Sequence, residues 1–469
     1  MLNNSKRFLK TSIIYMVGIV LSKVITFFLL PIYTSHLPPA EFGYYDLILS
    51  ILNFLVPISY FQIWDGMFRF SFDYQDRKEK YKVISNTYII FILGIIVYTM
   101  ILFFVNVVYK LDYFKLVYLY GISFAINYLY SFIARTFLRN KLFVISGILN
   151  TVVASIISII LIINFNFGIE SLFISQSIGM LLQAIVIEFN IKSLFEFRKL
   201  HFDLSIIKPM LRFSMPLCIA TVSYWLLSGF TVLNINHQLG SFGNGIYSVA
   251  NKFAGLIALV ISIFQYAWNE LAYSLANDEN RSSSYSYVIG ILFKLVVLGS
   301  SVLLLLIKLV FPILINNSYR EAELIIPITL LGVAANSIAG FIGTIFSSEK
   351  KTNWTFWSTI IASIVNVLLS LFLTKKYGLV GASLSLSSSF IILLIIRLII
   401  LNVDFKIKIA SNKYIWIVLF LFSVVLYYVV EYDYLLFTIM IFTSLVVYAL
   451  RDVFISMLEL IKGKNNETR

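Results

Sequence analysis

The feature that most constrains this chain is an alternation of positive charge between its hydrophobic segments. The stretches that connect these segments are alternately rich and poor in Lys and Arg. If the N-terminus is cytoplasmic, the inner connections and the two tails together hold 27 Lys and Arg residues, Arg397 among them, and the outer connections hold five. Inner connections of multi-pass membrane proteins carry an excess of these residues. The alternation therefore predicts a chain threaded many times through a membrane, with both termini cytoplasmic.

Composition and segment length agree with this interpretation. Hydrophobic residues make up 60% of the 469 residues, charged residues make up 13%, and the mean hydropathy is +0.91. Crossing a ~30 Å hydrocarbon core takes ~20 helical residues. Fourteen runs are long enough, at about 11–33, 44–63, 83–108, 114–134, 142–163, 169–190, 212–234, 246–274, 287–313, 324–346, 354–374, 378–401, 414–430 and 435–456. The predicted fold class is an all-α polytopic membrane protein of about fourteen transmembrane helices.

Two internal echoes indicate a repeat. The first outer loop contains Leu37, Gly43 and Tyr45, which recur at a spacing of 202 residues as Leu239, Gly240, Gly245 and Tyr247. Residues 167–172 and 377–384 form the other echo. The predicted organisation is a six-helix lobe at 1–195, a cytoplasmic linker at 196–211, a second six-helix lobe in the same orientation at 212–402, and two additional helices with a tail at 403–469. Parallel repeats of this kind are typical of transporters that work by alternating access.

Lysines inside the predicted segments are the first candidates for a site, because an intramembrane charge costs roughly 3 kcal/mol. Lys23 lies near the middle of the first segment, and Lys252 lies about two turns below the outer end of the eighth. Lys294 and Lys308 lie nearer segment ends, where we expect them to snorkel. Ammonium groups hold phosphate or carboxylate, so Lys23 and Lys252 predict a cationic cavity for an anionic substrate.

Other candidates lie at segment ends. Asp65 and Arg69 are one turn apart at the inner end of the second segment, where they either pair with each other at i,i+4 or Arg69 receives a charged headgroup. Asp65 and Glu270 are candidates for ion coupling. Pro31 and Pro216 lack a backbone donor in the opening helices of the two lobes and are candidate hinges.

Several function classes find no support in the sequence. It contains no GxxxxGK[ST] loop for a nucleotide and no HExxH or GxSxG motif for hydrolysis. Cys218 is the single cysteine, which rules out an intrachain disulfide or a Cys-based metal site. The net charge of +13 is spread over short loops, which favours lipid contact over nucleic acid. We therefore expect a transporter without cofactor, metal or catalytic residues.

Beyond these patterns, the chain resembles a known family, the flippases of O-antigen and capsule repeat units in the multidrug/oligosaccharidyl-lipid/polysaccharide (MOP) superfamily. The resemblance covers most of 1–402. The residues that carry it are LLPIYT at 29–34, Leu37, EFGYY at 41–45, Arg69, GIYSVANK at 245–252, AW at 267–268, KKT at 350–352, Asn366 and YGLVGA at 377–382. Asn269 departs from the pattern, because a proline is expected after the tryptophan.

The resemblance implies a MATE-like architecture in the bacterial plasma membrane. It implies flipping of an undecaprenyl-diphosphate-linked oligosaccharide from the cytoplasmic to the outer leaflet, for surface polysaccharide biosynthesis. Lys23, Lys252 and Arg69 would then face the diphosphate in the cationic cavity. Proton or sodium antiport is proposed for relatives and stays open for this sequence, as does interaction with a polysaccharide polymerase and export machinery.

Three other functions are alternatives. A drug or cation exporter of the same superfamily would need deep acidic groups, whereas the deep charges here are mostly lysines. A flippase for the lipid-linked peptidoglycan precursor shares the polyprenyl diphosphate and the fourteen helices, but we would expect a more arginine-rich cavity. A membrane-embedded polysaccharide polymerase or ligase would carry a long outer loop, and no outer loop here exceeds roughly a dozen residues between the predicted segments.

Overall fold

In a computed structural model, the described residues are 17, 18, 20–74, 76–194, 202–275, 281–407 and 413–461. At 263, 266, 267, 270, 274, 413, 414 and 452–461 the description covers the backbone alone. Regular structure in these ranges is helical, without strands. The helices are α1 Val20–His36, α2 Pro39–Ser59, α3 Ile63–Ser71, α4 Arg77–Tyr109, α5 Phe114–Thr136, α6 Asn140–Ile163, α7 Glu170–Ile191, α8 Leu204–Leu275, α9 Arg281–Leu314, α10 Ala322–Ser348, α11 Thr352–Phe405, α12 Lys413–Val429 and α13 Tyr432–Ile461.

The predicted all-α membrane fold of about fourteen crossings is confirmed. Ten helices in the described ranges are long and apolar enough to cross a membrane, and α1 and α12 are shorter apolar helices. Two of the ten, α8 and α11, are each two helices joined at a kink. Counting those two helices twice brings the described apolar segments to fourteen.

Both kinks lie at glycines of the recurring segments. Gly240 in α8 has φ 75° and ψ 177°, and Gly378 in α11 has φ 58° and ψ −135°. No heavy atom lies within 4 Å of a Cβ added at either position. The backbone conformation, which L side chains rarely adopt, is therefore the reason for glycine at these sites.

The chain forms two compact units, which divide between Gly245 and Ile246 inside α8. In the first unit, α7 packs along α5 and α6, and α3 packs against α4 and α5. Its core is aromatic, with Tyr60, Trp64, Tyr98 and Tyr120 almost fully buried. Residues 196–201 of the predicted linker lie outside the described residues, and the predicted lobe boundaries stay a prediction.

In the second unit, α10 packs along α11, and the two last helices pack against α9. Leu298 and Leu305 of α9 form a buried cluster with Phe442 and Val446 of α13. The appended helix pair is thus held by an apolar seam on one helix of its own unit.

A buried lysine binds the C-terminal end of α12, the first helix of that pair. Lys308 of α9 is 6% exposed and donates to the carbonyl oxygens of Tyr427 and Val430, at the C-terminus of α12. Carbonyls at a helix C-terminus lack intrahelical partners and attract cations. The expectation that Lys308 snorkels is therefore wrong, because its ammonium group satisfies these carbonyls inside the protein.

Candidate functional site

A groove of about 440 Å³ runs between α2 and the first half of α8, entirely within the first unit. Four contacts place the two helices antiparallel. The backbone N–H of Gly66 donates to Ser214 Oγ at 3.1 Å, Thr221 donates to Gln62 at 3.0 Å, Trp225 donates to the Ser50 carbonyl at 2.8 Å, and Asn244 donates to the Gly43 carbonyl at 2.7 Å. Along these contacts the residue number in the α2–α3 segment falls from 66 to 43 as the residue number in α8 rises from 214 to 244.

Glycines set the closest approach of these two segments. A Cβ on Gly43 would lie 1.9 Å from the Ser241 carbonyl oxygen and 2.4 Å from the Gly245 nitrogen. A Cβ on Gly245 would lie 2.0 Å from the Pro39 carbonyl oxygen. Gly43 and Gly245 are equivalent positions in the 202-residue repeat. Each of them therefore lies against the backbone of the other copy's segment.

The helix that forms one wall of the groove is broken. Pro57 lies inside α2. The helix ends at Ser59, and after its cap residue Tyr60 the next two residues, Phe61 and Gln62, have φ of 55° and 47°. Positive φ in non-glycine residues costs about 1 kcal/mol or more each and concentrates at functional sites. The break puts the Gln62 side chain into the groove. Interrupted helices of this kind form substrate sites in transporters.

Four aromatic side chains among the described residues line the groove. The indole of Trp225 packs on Phe54, with ring centroids 4.5 Å apart, and its N–H is held by Ser50. Trp64 is stacked on Tyr128, with centroids 5.1 Å apart and planes 15° apart. Tyr224 is 54% exposed at the mouth. Trp64 and Trp225 are thus held by ring packing, and Trp225 also by a hydrogen bond, before any ligand binds.

Lys23 lies in a different place from the groove. It is exposed and lines a cavity of about 300 Å³ in the first unit, together with Asn127 and Gln183. Gln183 accepts from Asn127 at 2.7 Å and from Asn150 at 3.0 Å, and donates to Ser131 at 3.3 Å. The structure therefore places Lys23 beside a polar cluster that the sequence analysis did not identify.

The other two predicted cations lie on other helices. Lys252 is half-buried on α8, in the second unit. Arg69 lies on α3 and forms an ion pair with Asp73 at 2.7 Å, with both side chains about half exposed. The expected Asp65–Arg69 pair is therefore wrong, because Asp73, also at i,i+4, is the partner of Arg69.

Asp65 points instead toward the broken helix end. It lies on α3, outside the ten candidate spans, and is half-buried. Burial raises the pKa of its carboxyl group, while a hydrogen bond from Gln62 and the charge of Arg135 oppose that rise. The side chain of the second acidic candidate, Glu270, lies outside the described residues.

The two candidate hinges differ in their surroundings. Pro31 lies two residues after Leu29, the one turn residue that interrupts the helical run of α1. Pro216 is exposed inside α8, whose non-helical backbone is at Gly240. A hinge role for either proline stays a prediction.

Several motif residues of the resemblance have structural roles. Glu41 accepts from the Ile169 N–H at 2.9 Å and so caps the N-terminus of α7. Asn269, which departs from the expected proline, accepts from Gln265 at 2.8 Å and from Thr344 at 3.0 Å. Trp268 donates to the Phe341 carbonyl. The departure therefore adds a polar contact between α8 and α10 in the second unit.

Arg397 was assigned to an inner connection, and that assignment is wrong. It lies inside α11, is 6% exposed, and donates to the Ala339 carbonyl, Ser358 and Thr359.

The sequence analysis also did not predict the groove residues, although the sequence contains a signal for them. Asp46, Ser50, Asn53 and Pro57 on α2 recur at helical spacing, which is how one face of a helix is marked.

Comparison with known proteins identifies the class of this fold. Over 96% of the chain and 99% of the other, it superposes on the structure titled lipid II flippase MurJ, inward closed conformation, with a TM-score of 0.72 and 16% identity. A multidrug resistance MATE family transporter of the MOP superfamily matches over 81% of this chain and 94% of its own, with a TM-score of 0.69 and 14% identity. A MOP superfamily transporter from Pyrococcus furiosus matches with a TM-score of 0.60 and 15% identity, over 85% and 95%. The chain thus has the fold of MOP-superfamily transporters and flippases.

The family follows from the sequence match. The model of the polysaccharide biosynthesis protein family matches residues 8–268, more than half of the chain, and the chain belongs to this family. A comparison with curated protein sequences found no match.

Proposed function

We propose that the protein flips an undecaprenyl-diphosphate-linked oligosaccharide repeat unit from the cytoplasmic to the outer leaflet of the bacterial plasma membrane, by alternating access, for O-antigen or capsule biosynthesis. The observation that carries the proposal is the family match, joined to the fold of transporters and flippases. The alternation of Lys and Arg supports cytoplasmic termini. A polysaccharide polymerase and the export machinery are the proposed partners.

The residues proposed for the diphosphate are Lys23, Lys252 and Arg69. Lys23 carries most of this assignment, because its ammonium group is exposed beside the polar cluster of Gln183. Coupling to a proton or sodium gradient is proposed for Asp65 and Glu270, and hinge motion for Pro31 and Pro216.

The test is complementation of a bacterial strain that lacks its repeat-unit flippase. Surface polysaccharide and accumulated lipid-linked intermediate are measured after expression of the chain. Restored polymer with a reduced intermediate supports the proposal. Failure in several strains with different repeat units, at normal membrane levels of the protein, contradicts it.

Within that assay we expect Lys23→Ala to lower surface polysaccharide about tenfold, because one charge-assisted contact to phosphate is lost. Lys23→Arg should retain most export. Lys375→Ala, at an exposed position, is the matched control and should behave as wild type. Full export by Lys23→Ala would remove Lys23 from the proposed site.

A second candidate is flipping of the lipid-linked peptidoglycan precursor, favoured by the extent of the superposition on the lipid II flippase. It is tested by rescue of a strain depleted of its own lipid II flippase. Growth rescue there, without restored surface polymer in the first assay, would favour this function.

A further inference from the structure

The groove between α2 and α8 has a lining that suits a sugar better than a diphosphate. None of the described residues that line it is Lys or Arg. A diphosphate needs cations or several N–H donors around it. A sugar presents hydroxyl groups, which donate and accept, and C–H faces, which pack on the negative face of an aromatic ring. None of the cations proposed for the diphosphate lines the groove, so its lining favours a ligand without negative charge.

Its polar groups are placed in advance. The Gln62 side chain accepts from Thr221 at 3.0 Å and donates to Asp65, which fixes its orientation at the broken helix end. The Asn53 nitrogen donates to the Leu49 carbonyl at 2.8 Å, so its amide oxygen is the atom that accepts from a ligand. Ser228 adds a hydroxyl group at the same wall. These fixed groups reduce the entropy lost on binding.

Its rings are placed as well. Trp225 is held by Phe54 on one side and by its bond to Ser50, and Gly229 leaves room for the indole, since a Cβ there would lie 2.2 Å from its nitrogen. Tyr224, one residue earlier, is exposed at the mouth. Fixed aromatic surface beside amide and hydroxyl groups is the combination that sugar rings require.

One charge in the lining selects among sugars. Asp46 is the sole Asp or Glu among the described lining residues. An ionised carboxylate at this position repels a second carboxylate and accepts a hydrogen bond from a hydroxyl or ammonium group. An acidic sugar is therefore disfavoured in this groove.

We propose that this groove is the saccharide subsite of the protein and that it takes neutral or amino sugars in preference to uronic acids. The inference rests on the proposed function, because it assigns the sugar part of the same cargo to a place apart from the lysine proposed for the diphosphate. Tyr224 and Trp225 supply the stacking surface, Gln62 and Asn53 supply the hydrogen bonds, and Asp46 supplies the charge selection.

The test is saturation-transfer NMR on the purified full-length protein with three soluble probes. These are methyl β-glucoside, its N-acetylglucosamine counterpart, and methyl β-glucuronide, which differs from the glucoside only at the C6 carboxylate. We expect the first two to give ring-proton signals and the glucuronide to give weaker ones. Tyr224→Ala should lower the glucoside signal about threefold, from loss of one stacking contact. Asp46→Asn should raise the glucuronide signal to that of the glucoside.

Tyr273→Ala is the matched control, because Tyr273 is as exposed as Tyr224, at 56%, and lies outside the groove lining. Its glucoside signal should equal that of wild type, and all variants must melt like wild type. An unchanged glucoside signal in Tyr224→Ala, or no signal from any probe with wild type, would overturn the subsite. Equal glucuronide signals in wild type and Asp46→Asn would overturn the charge selection.

The two proposals fail separately. Sugar binding that depends on Tyr224, in a chain that restores no polymer export, would keep the subsite and reject the repeat unit as cargo. Restored export without any dependence of sugar binding on the groove residues would keep the flippase function and reject the subsite.

Discussion

At the scale of residues, the ionisable groups divide into those that serve structure and those that face open space. Arg397 and Lys308 are buried with carbonyl partners, whereas Lys23 is exposed beside a polar cavity. Sequence position does not separate these cases, because all lie within apolar stretches. Exposure and partners separate them, and the proposal that Lys23 meets a ligand rests on this difference.

Asp65 yields a prediction about pH. Burial raises the pKa of its carboxyl group above the ordinary value of 3.8, so the group binds its proton more tightly in the folded protein than in the unfolded chain. Stability from this group is present at low pH and is lost as pH rises through the raised pKa. We expect Asp65→Asn to melt at a higher temperature than wild type at about pH 8, and this difference to shrink toward about pH 4. Asp73→Asn is the exposed control; a difference that grows toward low pH would contradict the assignment.

At the scale of elements, the contact between α2 and α8 depends on glycine. Gly43→Ala would bring a Cβ to 1.9 Å from a backbone oxygen, which cannot move as a side chain can. We expect a loss of stability of about 1–3 kcal/mol or more, seen as a lower melting temperature and yield in detergent. Gly290→Ala in α9 is the matched control, because nothing lies within 4 Å of its Cβ. Because alanine has a higher helix propensity than glycine, that variant should be stabilised by about 1 kcal/mol.

The packing of the last two helices, α12 and α13, depends on Lys308. Lys308→Met keeps the apolar stem but leaves the Tyr427 and Val430 carbonyls without the ammonium group. We expect a cost of about 1–3 kcal/mol, because buried acceptors become unsatisfied. Lys375→Met, at an exposed position, should leave the melting temperature unchanged. Identical melting of both variants would show that the apolar seam alone holds the helix pair.

At the scale of the whole molecule, the testable property is orientation. In a Cys218→Ser background, Asn164→Cys lies in a predicted outer connection and Asn190→Cys lies at the predicted inner end of α7, and both positions are exposed. With cytoplasmic termini, an impermeant maleimide should label Asn164→Cys on intact cells, and Asn190→Cys only after permeabilisation. The reverse pattern would place the termini outside and contradict the charge rule for this chain.

The sequence by itself determined the all-helical class, the fourteen apolar segments and their charge alternation, because hydrocarbon thickness and lipid charge act on stretches of chain and not on folded contacts. Only the tertiary structure decided which faces meet. Gly43 meets Gly245, Trp225 meets Ser50, and Lys308 meets Val430 across more than a hundred residues of chain. Lipid-facing and protein-facing side chains are equally apolar in a membrane helix, so hydrophobic periodicity carries little information about packing. The groove and its aromatic walls therefore emerged only when the helices were placed together.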